Sequence, residues 1–400
     1  MNKINKIFLI VLLLIPLFGF SQTNIRISIE NQEDSVYYFC KYRGAKTIII
    51  DTLNLKKGII QYKSKTKLPD GIYLLTNSKN LPLTEILITE KQRFKLIINN
   101  IEDYNSFKVK GCAKETKLYY KLMAKVMQTE ANIAALESEG GFNLENIKKI
   151  DSLNKDLASF EESWKINKKD AFINTVISSL KRHGMDDYWV DFPLYDARVL
   201  TYPLIDNKLN SYFDNLYADA DRIIAEMDTL IAKTGDCVEV RDYLLWFFYR
   251  KYYNPVYMNL DDVYIHLVDE YFLKLELENV SESVINVMAD RARNLSHLKI
   301  GAKIPNIGNL YTIESPYTAL IFYDKTCKKC AQEGRILEDI RTRHPEMVIF
   351  PVEIHSTDMK HLLEIYDIQT TPLIYVLDKH KKIIAKRINA EKVEQVLNMD

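Results

Sequence analysis

Two cysteines three positions apart, Cys327-Lys-Lys-Cys330, are the residues of this 400-residue chain best suited to do chemistry. That spacing puts both in the first turn of a helix, close enough to bridge with modest strain. They follow the apolar run Ala319–Tyr323, which reads as a buried strand, and open the run Lys328–Arg343, which reads as a helix ended by His344-Pro345. Free backbone N–H groups and the positive end of the helix dipole favour a thiolate on the first cysteine. Lys325, Lys328 and Lys329 place positive charge beside it and are expected to lower its pKa further. Such a dithiol can exchange with a disulfide, hold a metal, or stay closed as a static bond. The metal reading has His344, His355 and His361 nearby, but zinc sites built on such a pair usually add a second close pair, which the sequence lacks. No metal and no cofactor are therefore expected.

The elements that must position the pair make up residues 299–400. After the helix come a strand, Met347–Ile354, a helix, Met359–Tyr366, two strands, Pro372–Leu377 and Ile383–Arg387, and a closing helix, Glu391–Leu397. That order predicts an α/β unit with a mixed sheet. Glu353 falls on the second strand, where it could approach the cysteines as a proton acceptor or stand at a strand end in water.

Upstream, the period of the apolar residues changes twice. Residues 22–113 read as about eight short strands between turns, with Ile25, Ile27 and Ile29 alternating with polar neighbours, and predict an all-β sandwich-like module. Residues 114–298 carry helical spacing in Lys114–Ser138, Leu144–Asn167 and Ser211–Thr234, with Gly140-Gly141 as a break. The aromatic stretch around Trp246–Tyr257 reads as a helix buried on two sides, or as a binding surface. Neither region clusters residues for chemistry.

Composition narrows the function classes. Lys+Arg and Asp+Glu are 54 each, so no bulk charge draws the chain to nucleic acid. Apolar residues make up 47%, enough to build cores, and glycine is only 12 of 400 against an average of about 7%. Five cysteines are too few for a disulfide-built scaffold. Cys40 and Cys112 either pair within the β module or act as buried free thiols, and Cys237 has no assigned role. At the start, Lys3 and Lys6 precede the apolar run Ile7–Phe20, with Gly19 and Ser21 as small residues before a cut, so 1–21 reads as a signal peptide. The run is shorter than the ~20 residues that span a bilayer. The first cysteine after it is Cys40, which argues against a lipid anchor. The expectation is an exported protein in a compartment where disulfides persist.

With these residues in hand, 299–400 resembles the thioredoxin fold, and within it the envelope TlpA/ResA-like thiol–disulfide oxidoreductases. The resemblance is carried by Cys327-Lys-Lys-Cys330 at the strand-to-helix junction, by Gln369-Thr-Thr-Pro-Leu-Ile-Tyr375, and by the lead-in Gly301-Ala-Lys-Ile-Pro305. The order of the three regions resembles a Gram-negative envelope family with a β-rich N-terminal module, a helical middle and a thioredoxin-like end. Asn254-Pro-Val-Tyr-Met-Asn-Leu260 resembles a motif of that middle with no function assigned to it.

The resemblance implies a cis Pro372 packed against the dithiol, with Thr371 presenting its backbone to an extended substrate peptide. Cys327, at the exposed helix start between lysines, is the expected nucleophile, and Cys330, one turn in, the resolving thiol. The resemblance implies a periplasmic reductase acting on protein thiols and disulfides, with a membrane-bound electron donor. Thr326 stands where the family usually has tryptophan, and with Thr371 it is expected to meet the substrate. Lys-Lys replaces Gly-Pro between the cysteines, and Ile321 replaces a buried acid. A peroxidase resembling the peroxiredoxins would want Thr and Pro where Asp324 and Leu320 stand. The reading that stays open beside the enzyme is a non-catalytic envelope protein with a static Cys327–Cys330 bond.

Overall fold

The computed structural model describes residues 22–31, 34–138, 143–166, 171–255, 257–277, 280–354 and 360–399, so the expected signal peptide, the Gly140-Gly141 break and His355 lie outside the described residues. The chain divides into two compact units, Met1–Tyr212 and Phe213–Asp400. The strand-to-helix change near residue 113 and the helix-to-α/β change near 298 fall inside these units rather than between them.

The first unit is built on eight strands: β1 (Thr23–Ile29), β2 (Val36–Arg43), β3 (Lys46–Lys56), β4 (Ile59–Ser64), β5 (Gly71–Thr76), β6 (Pro82–Ile88), β7 (Arg93–Ile98) and β8 (Phe107–Gly111). About eight strands in a β-sandwich or barrel-like sheet were the expectation; the eight strands form one ladder of order β6-β5-β2-β3-β4-β1-β7-β8. The reason is the length of β3. It pairs with β2 from Lys46 to Asn54 and then hands its last residues, Leu55 and Lys56, to β4. Both halves nonetheless feed one core, in which Phe39 of β2 lies 4.7 Å from the Tyr62 ring of β4. Helix α1 (Lys114–Ser138) docks on β6 through Tyr119, whose hydroxyl donates to Glu85 Oε2 at 2.7 Å, and through Thr116, which donates to the Leu87 carbonyl at 2.8 Å. Helices α2 (Leu144–Ser163), α3 (Phe172–Leu180) and α4 (Leu204–Asp214) follow.

The segment expected as one helix over Ser211–Thr234 is two. Tyr217 adopts a left-handed φ of 54° after α4, and the Asp219 side chain then caps α5 (Ala220–Lys233) by accepting the Arg222 N–H at 3.0 Å. Next in the second unit come α6 (Val238–Tyr252), α7 (Asp261–Leu267), which runs into a π turn over Val268–Phe272, and α8 (Glu282–Ser296). Helix α6 buries Leu244, Leu245, Phe247, Phe248 and Tyr252, residues spread around its axis. Among the described residues no helix is long and apolar enough to cross a membrane.

The C-terminal sheet has four strands, β9 (Tyr317–Tyr323), β10 (Met347–Glu353), β11 (Leu373–Leu377) and β12 (Ile383–Lys386), in the order β10-β9-β11-β12. β10 runs parallel to β9; β11 is antiparallel to both β9 and β12. Leu320, Phe322 and Tyr375 point to a cluster with Ile304, Leu310 and Tyr366. Ala319, Ile321 and Ile374 point the other way, to Leu337 and Ile340 of helix α9 (Lys328–Arg343) and Val393 of α11 (Ala390–Leu397). A sheet covered on both faces reads as unbroken apolar runs, as β9 and β11 do. Between them α10 (Lys360–Ile365) completes the order strand–helix–strand–helix–strand–strand–helix.

Ion pairs tie the helices of this unit to its sheet. Lys386 of β12, only 1% exposed, donates to the Asp261 carboxylate of α7 and to the Leu298 carbonyl, and Arg387 shares the same carboxylate. Arg291 of α8 grips Asp367 with two hydrogen bonds, of 2.7 and 3.0 Å, and lies 3.8 Å from the Tyr253 ring centroid. Removing one partner of a buried ion pair strands the other charge, at a cost of about 3–5 kcal/mol. Asp261→Ala should therefore lower the stability of the chain by that amount in urea denaturation. A loss below about 1 kcal/mol would show that the cluster is not what fastens these helices.

Candidate active site

Strand β9 ends at Tyr323, and a turn over Asp324–Thr326 delivers the chain to the cysteines. Asp324 Oδ1 accepts both the Thr326 amide, at 2.6 Å, and the Thr326 hydroxyl, at 2.7 Å, while the Cys327 amide donates to the Asp324 carbonyl at 3.1 Å. Cys327 is the N-cap of α9, with φ −80° and ψ 111°, and its Sγ accepts the Cys330 amide at 3.1 Å. The sulfur thus fills the place an Asp or Ser oxygen usually takes at a helix start.

The two thiols differ in environment. Cys330 is buried, 4% exposed, and burial pushes its thiol up from the ordinary value. Cys327 is half-buried, and its thiol is held below the ordinary range, first by a hydrogen bond from the Cys330 side chain and then by the Cys330 amide. The lysines were expected to lower it further beyond the helix start; hydrogen bonds lead the depression. Lys325 is occupied elsewhere, its Nζ 2.6 Å from Glu353 Oε2, and Lys328 and Lys329 are exposed. All five cysteines are free thiols, with Cys40 buried on β2 and Cys112 exposed after β8.

The other sequence-predicted residues fall as follows. The Thr371–Pro372 bond is cis, and the Thr371 carbonyl lies 3.9 Å from Cys327 Sγ. The antiparallel register Leu373↔Phe322 brings this loop to the end of β9, just before the dithiol. Thr326 is exposed beside Cys327 and bound to Asp324. Glu353 closes β10 opposite Tyr323 with its carboxylate on Lys325, a partner not foreseen from the sequence. Ile321 is buried under α9. Sequence reasoning missed a cavity of about 370 Å³ beside Pro372 and Lys329, lined also by Asn254, Pro255, Glu333 and Asp367. The one signal for it was the Asn254–Leu260 motif.

Comparison with known proteins adds the following. A domain of unknown function, DUF4369, matches residues 23–118. No curated protein matches the chain. Among solved structures, a thioredoxin-like protein from Bacteroides caccae is 18% identical with a TM-score of 0.45, over 59% of this chain and 96% of that one. A domain of a possible thiol-disulfide isomerase from Cytophaga hutchinsonii is 30% identical with a TM-score of 0.22, over 26% of this chain and 92% of that one. A thiol:disulfide interchange protein from Bacteroides sp. is 20% identical with a TM-score of 0.24, over 26% and 90%. These structural neighbours are thioredoxin-like and thiol–disulfide proteins.

The geometry at the helix start gives a direct expectation for thiol reactivity. Alkylation follows the thiolate, so the pH–rate curve of Cys327 should have its midpoint below the ordinary thiol value of about 8.5. In Cys330→Ala the leading hydrogen bond is gone and the midpoint should move up in pH. An unchanged curve, measured by iodoacetamide labelling and mass spectrometry, would remove Cys330 as the cause.

Proposed function

We propose that this chain is a periplasmic thiol–disulfide oxidoreductase that works as a reductase through Cys327 and Cys330, with Thr326, Thr371 and Pro372 meeting the substrate. The observation that carries this reading is the split between the two thiols. A sulfur of lowered pKa caps the helix at the surface, and a buried sulfur of raised pKa sits one turn in. Two thiols pushed apart in this way divide the work of exchange. The Cys327 thiolate attacks one sulfur of a partner disulfide, forming a mixed disulfide and releasing the partner's other sulfur as a thiolate that takes up a proton. Cys330 then loses its proton and attacks Cys327 Sγ. The Cys327–Cys330 bond forms, the mixed bond breaks, and the second partner thiol leaves. Two electrons have moved to the partner, and a dithiol donor, by resemblance a membrane-bound one, returns them.

In this reading 1–21 is a signal peptide, and 22–113 with 114–298 set partner choice ahead of the thioredoxin-like 299–400. Glu353, whose carboxylate is held by Lys325, is the acid proposed as proton acceptor for the pair.

Trapping in a bacterial envelope tests the assignment. Cys330→Ser should accumulate mixed disulfides with partner proteins on non-reducing gels, and Cys327→Ser should accumulate none. Adducts with Cys327→Ser alone would reverse the roles. No adducts from either variant, with a wild-type dithiol potential below about −300 mV, would mean a static bond and a non-catalytic envelope protein.

A further inference from the structure

The cavity beside the dithiol has two walls that are far apart in sequence. Thr370, Pro372 and Leu373 line it from the loop before β11, Asn254 and Pro255 from the stretch before α7, and Lys329 of α9, the residue before Cys330, lines it too. Hydrogen bonds fix the spacing of the walls. Asn254 Oδ1 accepts from Arg291 Nη2 at 3.2 Å, and Arg291 in turn grips Asp367. Asp367 also accepts Gln369 Nε2 at 3.0 Å, and the Tyr253 hydroxyl donates to Gln369 Oε1 at 3.3 Å. The stretch just before α7 and the loop before β11 are thus one linked set, and a site held in this way costs little ordering when it is filled.

The charges around the cavity are unequal in availability. Asp367 is 5% exposed and engaged by Arg291 and Gln369; Glu333 is 7% exposed and accepts the Ala390 amide. Lys329 is exposed. An incoming segment therefore meets a cation, while the acids already have partners.

We infer that Asn254 and Pro255 are substrate-binding residues. They form the second wall of a groove that takes the residues next to the attacked cysteine of a protein disulfide, and Lys329 favours an acidic residue there. This rests on the thiol–disulfide reading and adds to it a substrate class and a use for the Asn254–Leu260 motif. The redox steps are those already written.

The test uses the reduced full chain and three oxidants. Two are peptides closed by a disulfide, identical except for Glu or Lys beside one cysteine. The third is 5,5′-dithiobis(2-nitrobenzoate), too small to reach both walls. Wild type should reduce the Glu peptide faster than the Lys peptide, and Lys329→Glu should reverse the order. In Asn254→Ala/Pro255→Ala the ratio of Glu-peptide rate to reagent rate should fall about five- to tenfold. If that double variant does not fold, judged by its unfolding midpoint, the Lys329→Glu reversal decides alone. An unchanged ratio, or equal wild-type rates on the two peptides, overturns the groove while leaving the exchange reading in place. A wild type that reduces none of the three oxidants overturns the exchange reading itself.

Discussion

A sulfur atom stands where helix α9 needs a hydrogen-bond acceptor, and the chemistry of the C-terminal region follows from that substitution. The Cys330 amide must find an acceptor at the helix start, and Cys327 Sγ is the one it meets. A thiolate meets that need better than a thiol, because it carries a full charge beside unsatisfied amides. The same geometry sets Cys330 one turn further in, where burial disfavours its charge. The difference between the two sulfurs is therefore a property of the helix start. Hydrogen bonds from Cys330 lead the lowering at Cys327, and one of the surrounding lysines, Lys325, is already bound to Glu353.

The sheet brings the second half of the site to this point. β11 runs antiparallel to β9 with Leu373 opposite Phe322, so the loop ending at Pro372 must lie where β9 gives way to the turn before Cys327. A slip of one residue would turn Leu373 and Tyr375 away from their apolar cluster, so core packing guards the position of the loop. The first unit shows the same economy with polar groups. Glu85 of β6 receives the hydroxyls of Tyr42 from β2 and Tyr119 from α1, which joins sheet and helix through one side chain.

Much of the C-terminal region was legible because its signals are local. Helix α9 runs from Lys328 to Arg343 as read, since a cysteine cap and a His-Pro stop mark its ends. β2 was read to the residue for a similar reason, being bounded by turn residues. What escaped was set by distance. Whether Glu353 meets a sulfur or a lysine depends on how β10 registers on β9, and no local pattern encodes that. The handover of β3 from β2 to β4 depends on where two other strands end. Asn254 lies far from Pro372 in sequence and is tied to the same cavity through Arg291 and Asp367. The break at Tyr217 was partly visible, since Asp219 is a good cap, but a left-handed tyrosine carries no sequence signal.

The Asp261 carboxylate bears on how separable the C-terminal region is. A four-stranded α/β end suggests a cassette that evolution or an experimenter could cut out at residue 299. Cut there, Lys386 and Arg387 would lose the carboxylate they share, and Arg291 and Asn254 would leave with the discarded piece. The compact unit that holds these charges starts near Phe213, with its helices included, so the buried charges reach well upstream of the boundary at residue 299.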